Sequence, residues 1–462
     1  MKAALPISPG VDLSIRDHVI RTLRLAGPVM LARAGLLVMV TVDTVMCGWI
    51  GTDQLAFYGI ATVPQIALLL VGVGLLMGTV VVTAQLDGAG RAEDCGRVFW
   101  LSLLHAAIVG VLFSLLLLPG PGVLQALGQN AEITAGGGQA VIMFAYGMPA
   151  ILLFTAASAF LEGISRPLAG MVVMLLANLL NVALNYLLMF DPYQLGAGGA
   201  ALATSIVRWM MAVVLIGYVL VMSGGQRYGI RARITGAWRA RIIGAWPLQR
   251  RLISLGWPMG LSFALEHGAF FAAATFAGWL GATALAAYQI VLNTMAVIYM
   301  LAIGIAVATG VRVGNAVGRG DRLGVARAGW IGVAIAVVVM IALMPLLSFG
   351  SGFITTIYTG DAAVIRLATT GLLIAAWILV VDASQGVLVG ALRGAADIWP
   401  TLIIQVGSFW VLAIPLCYFF SFYAKYHIYG LLFGLFFGLT AACLFLGWRF
   451  VVLTRRDIRP AS

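Results

Sequence analysis

Three carboxylates stand inside long apolar runs of this chain. Asp43 lies in Val40-Thr41-Val42-Asp43-Thr44-Val45, Glu266 in Phe263-Ala264-Leu265-Glu266-His267-Gly268, and Asp382 in Leu379-Val380-Val381-Asp382-Ala383-Ser384-Gln385. In hydrocarbon an ionised side chain costs about 3 kcal/mol or more unless it faces protein or water, so each is a candidate for binding an ion or a proton. The plainer alternative is a structural pairing with an Arg or a backbone group. Arg33 and Arg208 are available to Asp43, whereas Glu266 and Asp382 have no obvious counter-ion deep in their half of the chain. Asp382 is 11 residues from Arg393, about 16 Å along a helix, and Glu266 is 15 residues past Arg251, about 22 Å. If their helices are neighbours, poor solvation and mutual repulsion favour one shared proton, or Na⁺ in its place.

Polar side chains of the second rank accompany these acids. Asn178, Asn181 and Asn185 are spaced three and four apart and share a helix face, and Thr204 follows on the next apolar run. With Asp43 they form either an oxygen-rich cation or proton site or ordinary interhelical hydrogen bonding. Gln289 and Asn293 also share a face, next to Tyr288. Phe263, Phe270 and Phe271 surround Glu266, and Trp377 lies near Asp382. Such aromatics are mostly packing, but a few lining a cavity suit flat, cationic, hydrophobic ligands. We expect a substrate cavity formed by Gln289, Asn293, Tyr288, Phe263, Phe270 and Trp377. The sequence shows no HExxH, no Walker A loop and no Ser/His/Asp set, and His105, His267 and His427 are isolated. Neither an enzyme nor direct ATP drive is expected.

The elements that position these groups are membrane helices. Of the 462 residues, 62% are hydrophobic and only 9% charged, which marks an integral membrane protein. Twelve apolar segments are long enough to span: 25–49, 55–85, 97–118, 134–161, 168–190, 198–222, 252–279, 284–311, 327–349, 363–391, 399–421 and 428–452. They lack the period-two alternation of a barrel. Met1 to Asp17 is polar without a cleavage site, so no signal peptide is expected to be removed. The formal charge of +11 reports topology, not a nucleic-acid partner. Arg16, Arg21, Arg24, Arg91, Arg97, Arg166, Arg319, Arg322, Arg393, Arg455, Arg456 and Arg459 all fall at one end of the spans, while the loops near 51, 125, 194, 281 and 355 carry no Lys or Arg. Both termini are therefore expected in the cytoplasm. Residues 223–251 form a basic cytoplasmic stretch, in which Trp238 and Trp246 suit either an interfacial helix or a plain linker. Cys47, Cys95, Cys417 and Cys443 are scattered without ligand spacing and read as small apolar packing.

The second half repeats the first at an offset of 230 positions. Leu25-Ala26-Gly27-Pro28 aligns with Leu255-Gly256-Trp257-Pro258, and Gly48-Trp49-Ile50-Gly51 with Gly278-Trp279-Leu280-Gly281. Leu55, Ala56, Tyr58 and Ile60 reappear as Leu285, Ala286, Tyr288 and Ile290, and Gly88 and Gly90 as Gly318 and Gly320. The expected organisation is a six-helix lobe in 1–222, the linker 223–251 and a second six-helix lobe in 252–462. Because six is even, the lobes enter the membrane in the same sense about an axis along its normal. The acids break the symmetry: Asp43 corresponds to Ala273 and Glu266 to Leu36.

Ala286-Ala287-Tyr288-Gln289-Ile290-Val291-Leu292-Asn293, running into Gly310-Val311-Arg312-Val313-Gly314-Asn315-Ala316-Val317-Gly318-Arg319-Gly320-Asp321, resembles the multidrug and toxic compound extrusion (MATE) family. Gly163 to Pro167 with Met171, Asn181-x3-Asn185-Tyr186, and Gly196 to Thr204 ahead of Arg208-Trp209 extend the likeness over essentially the whole chain. The resemblance implies an inner-membrane antiporter, acting as a monomer without a cofactor, that exports organic cations and other drugs in exchange for Na⁺ or H⁺. In the NorM-like branch it implies coupling roles for Glu266 and Asp382, and Asp43, Asn181, Asn185 and Thr204 match first-lobe positions linked to cation binding. Three positions depart from the family pattern: Tyr288 stands where His is common, Ala302 where Pro is common, and Asn185 where another branch has Asp. The last removes one formal charge from a first-lobe Na⁺ site. A lipid-linked oligosaccharide flippase of the same superfamily is the alternative, but it should carry cationic residues for pyrophosphate, and the deep charges here are largely acidic. The Arg alternation predicts that reporter fusions after residue 230 read cytoplasmic and those near 355 do not; reversal at either point would remove the twelve-span reading.

Overall fold

The computed structural model describes residues 14–190, 192–230 and 246–456, which are helical nearly throughout. In chain order the helices are α1 (Ile15–Ile50), α2 (Thr52–Gly88), α3 (Ala92–Leu117), α4 (Gly120–Ala126), α5 (Ala131–Gly163), α6 (Leu168–Met189), α7 (Gly196–Val221), α8 (Trp246–Trp279), α9 (Ala282–Gly318), α10 (Arg322–Tyr358), α11 (Ala362–Gly394), α12 (Ile398–Tyr423) and α13 (His427–Arg455). All but the short α4 coincide with the twelve expected spans. Eleven are long and apolar enough to cross a bilayer. The twelfth, α8, has the length at 34 residues, but Glu266, His267 and Pro258 dilute its apolar run.

Most helices outrun the apolar segments because polar caps continue them past the hydrocarbon. The Ser14 hydroxyl accepts from the Asp17 N–H at 3.2 Å, and Asp321 and Asp361 accept from Gly324 and Ala363, each at 2.8 Å. The sequence does not announce α4, about two turns in the loop near residue 125. Nor does it announce an irregularity in α12, whose backbone is π-helical over Gly407–Ala413 and Phe419–Tyr423.

Two large apolar clusters build the two lobes. One is drawn mainly from α1 to α7, with Phe99, Phe144 and Phe160 among its members and Leu252 of α8 joining it. The other is drawn mainly from α8 to α13, around Tyr288, Phe409 and Leu435. Residues 223–230 fold back on the first lobe: Tyr228 is 4% exposed and Ile230 fully buried, and the Tyr228 hydroxyl donates to Asp87 at 3.4 Å. Burial, with the Asp87 carboxylate beside it, pushes the Tyr228 phenol up to about 12. Trp238, Arg231, Arg233, Arg239 and Arg241 of the basic stretch, and Arg459 of the tail, lie outside the described residues.

The lobes meet through contacts that repeat with roles exchanged. A Cβ on Gly88 of α2 would strike the Asn315 backbone, and one on Gly318 of α9 would strike the Gln85 carbonyl; both pairs are 230 positions apart. Gly74 packs on Gly260 of α8, and Gly304 packs on Met30 of α1, again at that offset. Small residues let these helices approach backbone to backbone, which is how helices associate where no water drives them together. Polar bonds reinforce the seam. Gln85 Nε2 donates to the Gly394 carbonyl at 2.9 Å and Gln85 Oε1 accepts from Arg251 at 2.8 Å. Arg312 of α9 donates to the His18 carbonyl at 2.9 Å and also bonds Thr22 Oγ1 and His18 Nδ1, all on α1. Every contact named here lies in the half of the bundle that carries Arg24, Arg91 and Arg319.

Turns repeat as well. Gly90 and Gly320, which end α2 and α9, have φ of 75° and 68°, a conformation that favours glycine. Gly88→Ala and Gly318→Ala should each lower the melting temperature of the purified protein, because the new methyl meets backbone that cannot turn aside, an overpacking cost of about 1–3 kcal/mol. Gly352→Ala on α10, where nothing lies within 4 Å, should leave it unchanged or raise it. Equal effects at the three positions would contradict the seam.

Candidate ion-binding sites

Four helices converge on one carboxylate in the first lobe. Asp43 of α1 is fully buried. Its Oδ1 accepts from Asn185 Nδ2 of α6 at 2.6 Å, and its Oδ2 accepts from Thr204 Oγ1 of α7 at 2.7 Å and Tyr58 Oη of α2 at 2.9 Å. Asn181 links the partners, donating to Thr204 Oγ1 and accepting from Asn185 Nδ2, each at 3.3 Å. Asp43, Asn181, Asn185 and Thr204 are thus brought together as the sequence predicts. Asn178, the third amide of that face, is not at the site: it donates to its own helix at Met174 O, 2.9 Å away. Tyr58 was missed, although its recurrence as Tyr288 marked it.

The structural pairing considered for Asp43 does not form. Arg33 bonds Glu162 at 3.4 Å, and Arg208 lies over the Phe144 ring, 5.6 Å from its centroid. Asp43 is held by three neutral donors with no guanidinium bonded to it. Such donors stabilise a carboxylate, and two of them can reverse. A hydroxyl rotates to accept, whereas an amide N–H cannot. A proton on Oδ2 needs only the Thr204 or Tyr58 hydroxyl to turn, whereas one on Oδ1 needs the Asn185 amide to flip. The carboxylate, the amide oxygens of Asn181 and Asn185 and the Thr204 hydroxyl also form a hard oxygen set suited to a cation such as Na⁺. Asn185 Oδ1 is buried without a partner, which fits either ligand.

The second lobe places Glu266 of α8 and Asp382 of α11 within electrostatic reach of each other, with Tyr299 of α9 and Arg393 acting on the same cluster. Asp382 is 6% exposed. Its Oδ1 lacks a hydrogen-bond partner, as do both amide atoms of the neighbouring Gln385. The expectation that these acids have no counter-ion is corrected by Arg393. It sits on the last turn of α11 and its long side chain runs back into the bundle. Its guanidinium donates to Ser262 at 3.3 Å and lies 4.8 Å from the Phe263 ring centroid. Tyr299 was not anticipated either; its hydroxyl is 2.6 Å from where a Cβ on Gly386 would lie, so the glycine admits it against α11.

The expected substrate residues divide. Phe263 stands at the acids through Arg393. Gln289 and Asn293 occupy an open face of α9, and Asn293 accepts from Tyr358 Oη at 2.9 Å. Phe270 packs on Phe409, 6.2 Å between centroids, as part of the lobe core. Trp377 is 65% exposed and lies five residues, about 140° around α11, from Asp382, so it does not line that site. Tyr288 is fully buried in the core and its hydroxyl has no partner. At the offset of 230 the position of Asp43 is filled by Ala273; further along each lobe the offset widens, the left-handed Gln194 and Lys425 being 231 apart, and Cys417 stands beside Tyr288. The tyrosine has kept its place without its partners.

The MatE family model matches residues 28–187 and again 258–419, once in each lobe. The chain belongs to the MatE family. It is 34% identical to the probable multidrug resistance protein NorM of Caulobacter vibrioides, over 97% of this chain and 94% of that protein. It is 30% identical to the multidrug resistance protein NorM of Aliivibrio fischeri, over 96% of each. Among solved structures, an outward-facing multidrug resistance MATE family transporter of the MOP superfamily superposes with a TM-score of 0.86 at 19% identity, covering 96% of this chain and 98% of that one. The eukaryotic MATE transporter AtDTX14 superposes at 0.84 and 19%, covering 95% and 96%. A MatE lobe thus carries its tyrosine in two environments, one bonded and one bare. Tyr58→Phe should destabilise the protein by about 1.5–3 kcal/mol, the worth of a hydrogen bond to a charged group, whereas Tyr288→Phe should be neutral or stabilising. Melting curves of the two variants check this; equal falls would show that the Asp43 bond contributes nothing.

Proposed function

We propose that this protein is a secondary multidrug efflux transporter of the inner membrane, exchanging small organic cations for Na⁺ or H⁺ by alternating access as a monomer. The observation that carries this reading is the charge balance of the second-lobe cluster. Glu266 and Asp382 set two carboxylates against the guanidinium of Arg393 and the His267 imidazole beside Glu266; with both acids ionised and the imidazole neutral, a single negative charge is left inside the bundle. One proton, one Na⁺ or one cationic drug neutralises it, so the three compete, and competition for one charge is what exchange requires. Full-length similarity to proteins named for multidrug resistance supports the cargo class.

The residues then take these roles. Glu266 and Asp382 hold the coupling ion or the cargo in turn, Arg393 limits the cluster to one charge, and Tyr299 closes it against α11. In the first lobe Asp43 takes a proton on Oδ2, or a cation among Asn181, Asn185 and Thr204. Neutralising it removes the electrostatic component of bonds that tie α1 to α2, α6 and α7. α1 contains Pro28 within its length, a place where a helix bends, so loosening the tie frees its outer half. Gln289 faces the cleft between the lobes, since an exposed amide is poorly placed against lipid, and Asn293 shares that face while bonded to Tyr358. The oligosaccharide flippase reading asks for cations where this cluster is anionic.

Asp382→Asn and Glu266→Gln should each cut gradient-driven dye efflux from proteoliposomes by about 5- to 150-fold, the range of ordinary coupling energies, with normal insertion. Imposing Na⁺ and pH gradients separately identifies the ion. Wild-type rates in both variants would sink the second-lobe site.

A further inference from the structure

A further buried acid lies outside both sites. Glu162 sits on the last turn of α5, beyond the expected end of its span, and its side chain is 3% accessible. Arg33 NH2 reaches Oε1 at 3.4 Å and Ser158 Oγ donates to the same oxygen at 3.1 Å. Oε2 is buried with no partner. A structural Arg–carboxylate pair is commonly two-pronged and short, as Arg449 and Asp397 are in this protein, at 2.7 and 2.8 Å. The Glu162 pair is single-pronged and long, and it leaves bare an oxygen whose negative charge is costly without a donor.

We propose that Glu162 is a proton-binding residue of the first lobe, separate from Asp43, and that its protonation releases Arg33. The proton adds to Oε2 from water and returns to water. The carboxyl becomes neutral, Oε1 keeps the Ser158 bond, and the guanidinium loses its ion partner. Arg33 is the accessible half of the pair at 18%, which gives the proton a route along its side chain. It is the charged group set against Glu162; Ser158 is the polar contact on the same helix, and Thr83 of α2 packs on the adjacent Gly163. Arg33 and Asp43 are ten residues apart on α1, about 15 Å, so α1 is fastened at two depths by two carboxylates. A released Arg33 puts an unpaired positive charge on α1, which disfavours a bound cationic drug. This last consequence rests on the exchange reading above; the proton site does not.

Infrared difference spectra between about pH 5 and 8, recorded on the full chain in liposomes, test the site directly. Glu162→Gln should remove one protonated-carboxyl C=O band that Asp382→Asn and Glu266→Gln retain. In Arg33→Gln that band should persist to higher pH by about one unit, tenfold in proton affinity, because the cation favouring the carboxylate is gone. Dye efflux against pH should change in both variants, and the double variant should be no worse than either alone. Loss of no band in Glu162→Gln overturns the proposal even where wild-type efflux is gradient-driven. Loss of the band in a protein that shows no gradient-driven efflux keeps the proton site and removes the exchange reading. Should Glu162→Gln fail to fold, Glu162→Asp must shift the band and the efflux profile; an unmoved band overturns the proposal equally.

Discussion

A carboxylate buried among membrane helices must find its donors on other helices, because the surrounding hydrocarbon supplies none. That constraint organises the first lobe. Asp43 draws Tyr58, Asn185 and Thr204 to itself from three different helices, and Asn181 ties two of those partners together. Each tie fixes the rotation of a helix as well as its distance. The lobe's polar register therefore follows from one ionisable group, and a change in its charge is felt at all four helices at once.

The second lobe shows what the same scaffold looks like without that group. Tyr288 keeps the position of Tyr58, yet Ala273 fills that of Asp43 and the tyrosine hydroxyl has no partner. Its ionisable residues lie elsewhere, on α8 and α11, with Arg393 as counter-charge. What the lobes share is the seam between them, where Gly88 and Gly318 each rest on the other lobe's backbone. The sequence repeat preserves this joint while leaving the chemistry of each lobe free to diverge.

The spans, the repeat and the first-lobe cluster were legible in the sequence because each leaves a periodic mark. Long apolar runs locate helices, the fixed offset locates the joint, and four-residue spacing puts Asn181 beside Asn185. Side-chain reach leaves no such mark. Arg393 reads as a loop charge because its Cα is at a helix end, while its guanidinium lies well inside. Glu162 falls one residue past the expected end of its span, where an acid reads as a loop charge. Trp377 is close to Asp382 in sequence but on another side of α11. Tyr288 reads as a cavity residue from its neighbours Gln289 and Asn293, although one step along a helix turns a side chain by about 100°.

The π-helical stretches of α12 bear on the repeat itself. The two family matches begin 230 positions apart, at 28 and 258, and end 232 apart, at 187 and 419. A wide turn is how a helix accommodates an inserted residue without breaking its hydrogen-bond ladder. α12 is the counterpart of α6, the helix that carries Asn181 and Asn185; the offset is already 231 at Ser165 and Ala396 ahead of it, and within it the register slips once more. Once the rungs no longer align, a polar ladder cannot be copied from one lobe to the other by single substitutions. The two halves of this transporter thereby carry different polar side chains at matching depths, and the asymmetry is locked in by the backbone as well as by the side chains.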